Sequence, residues 1–310
     1  MIAKLANAAI ELRGVTRSFG SNVAVNQLSL KISPGEIFAL VGPDGAGKTT
    51  LIRLICGALS IDEGALSVGG VDVVAQTATV QASLGYMPQR FSLYPDLSVM
   101  ENLQFYGDIF GVPANEFKRI SKKLLEEFSL WSFRTRLAEE LSGGMKQKLA
   151  LACTLAHSPA ILLLDEPTAG VDPSSRREFW RILYRINRNG TTVFVSTPYM
   201  DEADRANRIG FILHGSLVDC GTPEELKGAL RGEVVQITCS DRAAARRALR
   251  DESCVRSVEV FGETLHALVV SAATTIPALE QGLVAYGVHD AVLTKIQPTL
   301  EDAFVARLTA

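Results

Sequence analysis

Residues 42–49 read Gly-Pro-Asp-Gly-Ala-Gly-Lys-Thr, which is the pattern Gly-x-x-x-x-Gly-Lys-[Ser/Thr] of a phosphate-binding loop. The apolar run 37–41 precedes the loop, and residues 50–55 follow it with helical character. Glycines allow such a loop to curl until successive backbone N–H groups face one anion, and the following helix adds the positive end of its dipole. The stretch therefore predicts an α/β fold that binds nucleotide phosphates, with Lys48 as a charge for the β- and γ-phosphates and Thr49 as a Mg²⁺ ligand.

Two acidic residues follow a second apolar run. Residues 161–164 read Ile-Leu-Leu-Leu and lead into Asp165 and Glu166, and residues 192–195 are a further apolar run. Such runs are typical of parallel strands that are buried on both faces. A helix capped by Asp172 is predicted between them, which implies a right-handed crossover. Beside a phosphate loop, we expect Asp165 to bind Mg²⁺ directly or through water and Glu166 to polarise the attacking water.

A second anion site is predicted where Ser142, Gly143 and Gly144 open an apparent helix over residues 145–156. A serine N-cap followed by two glycines leaves bare backbone N–H groups at the positive end of a helix. Two such sites on different helices require either two anions on one chain or one anion shared by two chains.

The composition limits the class of protein. The 310 residues carry 31 Lys and Arg against 34 Asp and Glu, and 47% are hydrophobic, which are ordinary values for one large or two small globular domains. A nucleic-acid-binding protein usually shows a basic excess or stripe, so we expect no nucleic-acid partner. The local basic runs are interpreted as solvated helix faces; they are Lys118-Arg119 with Lys122-Lys123, and Arg246-Arg247 with Arg250.

Five cysteines lie far apart, without a Cys-x-x-Cys pair, which favours reduced thiols in a cytosolic protein over a disulfide framework or a zinc site. The first residues lack the long apolar core of a signal peptide. The longest apolar runs, such as 161–164, are too short to cross a bilayer. We therefore expect a soluble chain whose membrane role, if it has one, comes through a partner.

These motifs, in this order, resemble the nucleotide-binding domain of an ATP-binding cassette (ABC) transporter over roughly residues 8–230. Phe19 stands where that family stacks an aromatic ring on adenine. Gln89 matches the family's glutamine loop, which touches Mg²⁺ or water and senses the membrane subunit. Residues 141–147 resemble the signature motif, and residues 169–172, which end in Asp172, resemble the D-loop.

The resemblance implies that two such domains pair head to tail, one from this chain and the other from a second copy of it or from a paralogous chain. Each ATP would then lie between one chain's phosphate loop and the Ser142-Gly143-Gly144 helix of the other. The implied cofactors are ATP and Mg²⁺, with Thr49, Gln89 and Asp165 as metal ligands and Glu166 and Gln89 as catalytic residues. The residues expected to contact the nucleotide are Phe19, Gly42, Pro43, Asp44, Gly45, Ala46, Gly47, Lys48, Thr49, Thr50 and Asp165.

The last part of the chain supports a narrower resemblance. From about residue 231 the pattern predicts the order βαββαβ, the ferredoxin-like split unit, and then a closing helix. This order, the tail 297–304 (Gln-Pro-Thr-Leu-Glu-Asp-Ala-Phe) and the run 86–95 are similar to ABC-2 type export ATPases, most of all to the first cassette of tandem-cassette bacterial exporters. We predict an α/β P-loop ABC ATPase domain with a mixed sheet over 1–230, including a helical subdomain at about 90–160, and an α+β ferredoxin-like accessory domain over 231–310.

Two positions depart from the family pattern. Pro198 stands where the family has a histidine that holds the γ-phosphate and Glu166 in register, and proline has neither a side-chain donor nor an N–H. Locally, Pro198 is expected to lie in the first turn of a helix that Thr197 caps. Asp44 stands where asparagine is usual, and its carboxylate would repel a triphosphate unless a cation offsets it. None of the four histidines is expected to replace the missing one.

The resemblance implies an ATP-hydrolysing subunit that powers an ABC-2 type exporter of drugs, antibiotics or other small or lipid-like substrates, with hydrolysis at its own site weakened by Pro198. It would act with membrane permease subunits on the cytoplasmic face of the inner or plasma membrane. One alternative is a regulatory subunit that binds ATP without hydrolysing it. Pro198 favours this alternative, and the intact Lys48, Asp165, Glu166 and Gln89 argue against it. Another is a soluble ABC protein of translation or DNA repair, against which the single cassette and slight acidity argue.

Overall fold

The computed structural model describes residues 8–90 and 93–308. The chain divides into two units, one up to Cys220 and the other from Gly221. Phe91 and Ser92, which belong to the run 86–95 used above, lie outside the described residues. Within the described ranges, no helix is both long enough and apolar enough to cross a membrane.

The first unit alternates strands and helices along the chain. Its strands are β1 (Ile10–Phe19), β2 (Asn22–Ile32), β3 (Ile37–Val41), β4 (Glu63–Val68), β5 (Val71–Asp72), β6 (Leu84–Met87), β7 (Ile161–Asp165), β8 (Thr192–Thr197), β9 (Arg208–Leu213) and β10 (Ser216–Gly221). Its helices are α1 (Lys48–Ile55), α2 (Thr77–Ser83), α3 (Val99–Ile109), α4 (Ala114–Glu127), α5 (Gly143–Thr154), α6 (Pro173–Arg188) and α7 (Met200–Ala203), with 3₁₀ turns at Trp131–Phe133 and Ala138–Glu140.

A six-stranded sheet in the order β10-β9-β3-β8-β7-β6 carries the phosphate loop. Its central strands β3, β7 and β8 pair in parallel and every residue in them is buried. Because both faces are covered, the middle of each strand is continuously apolar rather than alternating. In the β7–β8 register Asp165 lies opposite Ser196, so the carboxyl ends of these strands, where ligands bind in parallel sheets, meet at one edge.

A second, antiparallel sheet in the order β2-β1-β4-β5 packs with α1 and the first sheet around one hydrophobic core. Leu51 and Leu54 of α1 are fully buried in it. Burial of such a side chain contributes roughly 1.5–3 kcal/mol, and this fixes α1 against both sheets. The position of the helix N-terminus at Lys48 follows from that packing.

The helices of residues 99–154 occupy the region predicted as a helical subdomain. Helix α3 begins with a capping box, in which the Ser98 hydroxyl accepts from the Glu101 N–H and the Glu101 carboxylate accepts from the Ser98 N–H. The fully buried side chain of Asn102 donates to the carbonyl oxygens of Tyr94, Leu97 and Ser98. These bonds order the chain that leads into α3.

The second unit has the predicted ferredoxin-like topology. Its elements are α8 (Pro223–Gly228), β11 (Glu233–Thr238), α9 (Arg242–Asp251), β12 (Val255–Phe261), β13 (Thr264–Val269), α10 (Ala272–Ala285), β14 (Val292–Ile296) and α11 (Leu300–Leu308). The antiparallel sheet has the order β12-β13-β11-β14. This unit begins before residue 230, where we expected the boundary, because α8 packs against α11 and so belongs with the C-terminal fold.

Candidate functional site

The loop between β3 and α1 has a path that larger residues could not follow. Gly45 and Gly47 have positive φ angles of 77° and 105°, which L-residues with side chains rarely adopt. A Cβ on Gly47 would lie 2.3 Å from the carbonyl oxygen of Ala24, and one on Gly42 would lie 2.3 Å from that of Ile212. The loop is therefore pressed against β2 and β9, with α1 starting directly after it.

Lys48 is the first residue of α1, and its ammonium group is buried under the loop. The side chain is 4% exposed, and Nζ donates to the carbonyl oxygens of Gly42 (2.9 Å) and Pro43 (3.0 Å). Nζ also lies 3.3 Å from Oε1 of Glu166. The three N–H donors of the ammonium are thus matched by three oxygens, and an anion at the mouth of the loop would compete with Glu166 for this charge.

Asp165 ends β7 with one carboxylate oxygen satisfied and the other unpaired. Oδ1 accepts from the Ser196 hydroxyl at 2.7 Å and from the Thr49 hydroxyl at 3.2 Å. Oδ2 is buried and has no hydrogen-bond partner among the described residues. A bare carboxylate oxygen beside a hydroxyl is the kind of hard oxygen donor set that Mg²⁺ prefers, so these residues fit that cation.

Glu166 is held in an uncommon backbone conformation at the same edge of the sheet. Its φ is 47°, a region that residues other than glycine seldom occupy. Its N–H donates to both the carbonyl and the hydroxyl oxygen of Ser196, at 3.1 and 3.0 Å. Gln89 Nε2 donates to Oε2 of the carboxylate at 2.8 Å, so that the glutamine nitrogen is used and its oxygen remains for a cation.

One cleft of about 410 Å³ collects most of the predicted nucleotide-contacting residues. Phe19 lies at its rim as a residue that is 45% exposed, and the Arg17 guanidinium lies 4.9 Å from the ring centroid. The exposed Asp44 also lines this cleft. The other predicted residues in the lining are Gly45, Gly47, Lys48, Thr49, Thr50, Gln89 and Glu166.

Three residues of this region were missed from the sequence. Asn22 and Ala24 of β2 line the cleft. The Ser196 hydroxyl donates to the Asp165 carboxylate and accepts from the Glu166 N–H. None of them belongs to a recognisable motif. The one available signal for Ser196 was a hydroxyl at the end of an otherwise apolar strand.

Ser142 caps α5 as predicted, and its hydroxyl accepts from the Met145 N–H at 3.4 Å. A Cβ added at Gly144 would meet the Ser175 side chain of α6 at 2.7 Å, whereas nothing lies within 4 Å of one added at Gly143. Among the described residues, none of Ser142, Gly143 and Gly144 lines the phosphate-loop cleft. The N-terminus of α5 is thus open to approach from outside the chain.

Asp172 caps α6 as predicted. Its carboxylate accepts from the N–H groups of Ser174 and Ser175, both at 3.0 Å. Hydrogen bonds from Ser174 and Ser175 hold the pKa of Asp172 well below its usual range. Since residue 172 follows Glu166 closely, the cap anchors the segment that leads away from the site.

The expected local role of Pro198 is wrong. Helix α7 begins at Met200, with Tyr199 at the N-cap position, and no side chain caps it. Thr197 instead accepts from the Tyr199 N–H at 3.1 Å and donates to the buried Glu202 at 3.0 Å. Proline therefore lies in the exposed turn before the helix, because the hydroxyl of Thr197 closes a tighter turn than a helix cap would.

The histidines lie elsewhere in the described structure. His157 stacks on Phe110 with 3.7 Å between ring centroids, and His266 bonds Asp302 from Nδ1 at 2.9 Å, while His214 and His289 are exposed. None lines the phosphate-loop cleft among the described residues. Nor do the described residues contain a group of three or more His, Cys, Asp or Glu side chains that could hold a metal, so a cation here would need hydroxyl, amide and ligand oxygens as well.

Comparison with known proteins yields a consistent set of relatives. A family model described as ABC transporter matches residues 25–169. The chain is 39% identical to the probable multidrug ABC transporter ATP-binding protein YbhF of Escherichia coli over 96% of its own length but only 52% of YbhF, so it spans about half of that relative. It is 37% identical to the Nod factor export ATP-binding protein I of Paraburkholderia xenovorans, over 88% of this chain and 90% of that one. The linearmycin resistance ATP-binding protein LnrL of Bacillus subtilis is 33% identical over 96% and 97%.

Solved structures give the same result. An ATP-binding subunit of an ABC transporter superposes with a TM-score of 0.65 at 25% identity, over 71% of this chain and 92% of the other. The cassette MJ0796, in a dimeric post-hydrolysis state with ADP and Pi, superposes with a TM-score of 0.62 at 25% identity, over 69% and 98%. The fold is therefore that of an ABC ATPase cassette.

Proposed function

The chain belongs to the family of ABC transporter ATP-binding proteins, and we propose that it is the ATP-binding and ATP-hydrolysing subunit of an ABC-2 type exporter. The observation that carries this proposal is that five side chains meet at one edge of the parallel sheet. Lys48 lies 3.3 Å from Glu166, Thr49 lies 3.2 Å from Asp165, and Gln89 lies 2.8 Å from Glu166. Phosphoryl transfer needs a positively charged side chain for the phosphates, a pair of metal ligands and a group that orients water. Lys48, the pair Thr49 and Asp165, and Glu166 would supply these.

In this proposal the phosphate loop binds the triphosphate and Phe19 stacks on the adenine. Lys48 and the loop N–H groups supply charge and donors for the phosphates. Thr49, Asp165 and the oxygen of Gln89 would hold Mg²⁺, which when bound offsets the charge of the phosphates. The same cation would reduce the repulsion between the phosphates and the nearby Asp44 carboxylate.

Glu166 is the proposed group that polarises the attacking water. Its carboxylate is at present shared between Lys48 and Gln89. A bound phosphate would compete for the Lys48 ammonium, because a group with several anionic oxygens is a stronger partner than a carboxylate that is already hydrogen-bonded. Loading of ATP would thereby release Glu166 for its role as a base.

The open N-terminus of α5 supports pairing with a second cassette. Ser142, Gly143 and Gly144 present backbone donors but stand outside this chain's own cleft. We propose that they complete the ATP site of a partner cassette, head to tail. The partner would be a second copy or a paralogous chain, and both would sit on permease subunits at the cytoplasmic face of the membrane.

Pro198 makes this chain's own site the slower of an unequal pair in our proposal. A proline cannot donate to the γ-phosphate, and none of the four histidines lines the described part of the cleft. Loss of one such transition-state contact typically costs roughly 2.7–4 kcal/mol, or about 10²–10³ in rate. The α5 N-terminus that this chain would lend to its partner keeps the predicted cap.

The names of the relatives support a class of substrate. They refer to multidrug transport, Nod factor export and resistance to linearmycin. We propose by similarity that the chain powers export of a drug, an antibiotic or another small or lipid-like molecule. Specificity would lie in the permease subunits.

A regulatory subunit that binds ATP without hydrolysing it is the second candidate, and Pro198 is the observation that favours it. Steady-state ATPase assays of the chain alone and then in its co-purified membrane complex separate the two. We expect Mg²⁺-dependent hydrolysis that requires Glu166 in the complex. Tight ATP binding with no hydrolysis dependent on this chain's Glu166 would support the regulatory role, and absence of ATP binding would refute both.

A further inference from the structure

Helix α9 of the second unit places four arginines on the wall of one cleft. Arg242, Arg246, Arg247 and Arg250 line a space of about 600 Å³ together with Ser240 and Val260; we name it the arginine cleft. Arg242, Arg246 and Arg250 are spaced by four residues, so they form one row along the helix. The opposite face, with Ala244, Ala245, Ala248 and Leu249, is buried against the sheet.

Part of this row lowers the stability of the helix, although Arg250 in the last turn is favourable to the helix dipole. Like charges four residues apart destabilise a helix by roughly 0.2–0.5 kcal/mol per pair. Arg242 also lies in the first turn of α9, where a cation opposes the helix dipole. Solubility alone would be met equally well by mixed charges, so the arrangement needs another reason.

Nearby acidic groups leave most of this charge uncompensated. Glu259 lies 3.4 Å from Nη2 of Arg246, and both side chains are about a third exposed. Asp241, the acidic residue in the cleft lining, is used as the N-cap of α9 through the Ala244 N–H. Arg247 interacts electrostatically with Tyr286, whose hydroxyl bonds Asp251. Arg250 has no hydrogen-bond or ion-pair partner within the described residues.

Arg246 has one guanidinium nitrogen, Nε, without a hydrogen-bond partner in the part of the chain that the structure describes, but this atom is buried and is not exposed to the cleft. Arg242 donates from Nη1 to the Gly262 carbonyl oxygen at 2.9 Å, which leaves the rest of its guanidinium fork for a ligand. The cleft therefore offers guanidinium donors of Arg242, Arg247 and Arg250.

We propose that the arginine cleft is a binding site for a small soluble anion that carries at least two phosphate groups. Guanidinium forks match the geometry of phosphate oxygens and can bind them in a bidentate way. The row from Arg242 to Arg250 spans about 12 Å along the helix axis, which is long enough to engage phosphates at two or more points. The volume lies within the range of about 300–1,000 Å³ that is usual for small-molecule sites.

The arginine cleft lies on the helix face that the sequence analysis interprets as solvated, and Arg247 and Arg250 are exposed there. In the sequence, Arg246-Arg247 and Arg250 form a basic run that apolar residues split. The fold turns these apolar residues inward and opens a cleft beside the arginines. The proposal is independent of the function proposed for the phosphate loop, because it concerns residues of the second unit alone.

The test is calorimetric titration of the full chain with sodium tripolyphosphate. All proteins carry Lys48→Ala, so that the phosphate loop contributes little. We expect saturable binding with one ligand per chain, weakened about tenfold by Arg250→Gln and about a hundredfold by Arg246→Gln combined with Arg250→Gln, since each charge-assisted contact is worth roughly a factor of ten. Arg231→Gln, an exposed arginine of the same unit outside the cleft, is the matched control and should not change the affinity.

Arg250 is exposed and unpartnered, so its substitution leaves the fold intact, and thermal unfolding of each variant checks this. Absence of binding to the parent protein, or equal binding by the double variant, would overturn the proposal. A parallel arm uses vesicles of phosphatidylglycerol and phosphatidylcholine. Arginine-dependent binding to these vesicles without binding of tripolyphosphate would assign the row to a lipid surface and would also overturn it.

Discussion

The side-chain amide of Gln89 donates to Oε2 of Glu166 over 2.8 Å, and this bond joins the loop after β6 to the end of β7. The other oxygen of Glu166 lies 3.3 Å from the Lys48 ammonium. The carboxylate is thus fixed between the residue that would hold phosphate and the one that would touch the cation. A substitution of Lys48, Gln89 or Glu166 should therefore change the position of the other two side chains.

Lys48→Ala should weaken MgATP binding by at least about tenfold, because a charge-assisted contact of this kind is worth roughly 1.5–3 kcal/mol. Equilibrium binding of a fluorescent ATP analogue to the purified chain measures this. The control is Lys118→Ala, an exposed lysine on α4, which should leave affinity unchanged. Unaltered affinity in the Lys48 variant would show that the cleft does not bind the triphosphate.

Glu166→Gln should reduce hydrolysis about 10²-fold or more, which is the typical contribution of a positioned base. ATP binding should persist, because glutamine keeps the size of the side chain and removes its charge beside the incoming phosphate. Single-turnover hydrolysis and ATP affinity are measured on the same preparation. A variant as active as the parent protein would exclude Glu166 as the group that polarises water.

Ser196→Ala should lower both activity and apparent Mg²⁺ affinity by about tenfold, as is typical when a partner that orients a metal ligand is lost. The hydroxyl positions Asp165 and accepts from the Glu166 N–H. Titration of ATPase activity with Mg²⁺ detects the change. Thr154→Val removes a comparably buried hydroxyl from α5 and controls for lost stability alone. If Ser196→Ala and Thr154→Val lower activity and Mg²⁺ affinity equally, Ser196 does not position the metal ligand.

His157 should make the fold less stable in mild acid. Nε2 faces the Leu84 carbonyl oxygen at 3.0 Å and must donate, so the buried and unpartnered Nδ1 carries no proton in the neutral ring. Burial lowers the pKa of His157 below its ordinary value, against the smaller effect of that hydrogen bond. The unfolded chain therefore binds the proton more tightly, and the contribution of His157 to stability is complete above pH about 6.5 and lost as the pH falls through the folded pKa.

Thermal unfolding between pH 7.5 and 5 tests this expectation. His157→Gln keeps a donor for Leu84 and should lose less stability than the parent protein as the pH falls. His289→Gln, at an exposed position, should follow the parent. Parallel curves for all three proteins would contradict the assignment of the acid sensitivity to His157.

Local patterns were enough to predict the second unit. The predicted order βαββαβ agrees with the observed elements. The antiparallel sheet of the first unit was not predicted. Strand β1 has register shifts against both neighbours, for example between Leu12 and Val15, and such irregular strands have no regular period of two.

The site was predictable as far as its residues lie in contiguous motifs. Lys48, Thr49, Asp165 and Glu166 are such residues. Ser196 is not, because its role comes from the register of β8 against β7, which places it opposite Asp165. The start of α7 after Pro198 depends on how the Thr197 hydroxyl is used, since it accepts from the Tyr199 N–H and donates to Glu202 instead of capping a helix that begins at Pro198.

The most direct test of the unequal pair is the steady-state ATPase rate of the purified membrane complex with Pro198→His and, separately, Ser142→Arg. Pro198→His restores a γ-phosphate contact in this chain's own site and should raise its turnover by up to about 10²-fold. Ser142→Arg fills the open end of α5 and should abolish hydrolysis at the partner's site while ATP still binds to this chain. If the chain instead forms a homodimer with brisk turnover, and Pro198→His brings no gain, then the claim that this site is the slower one of a pair is contradicted.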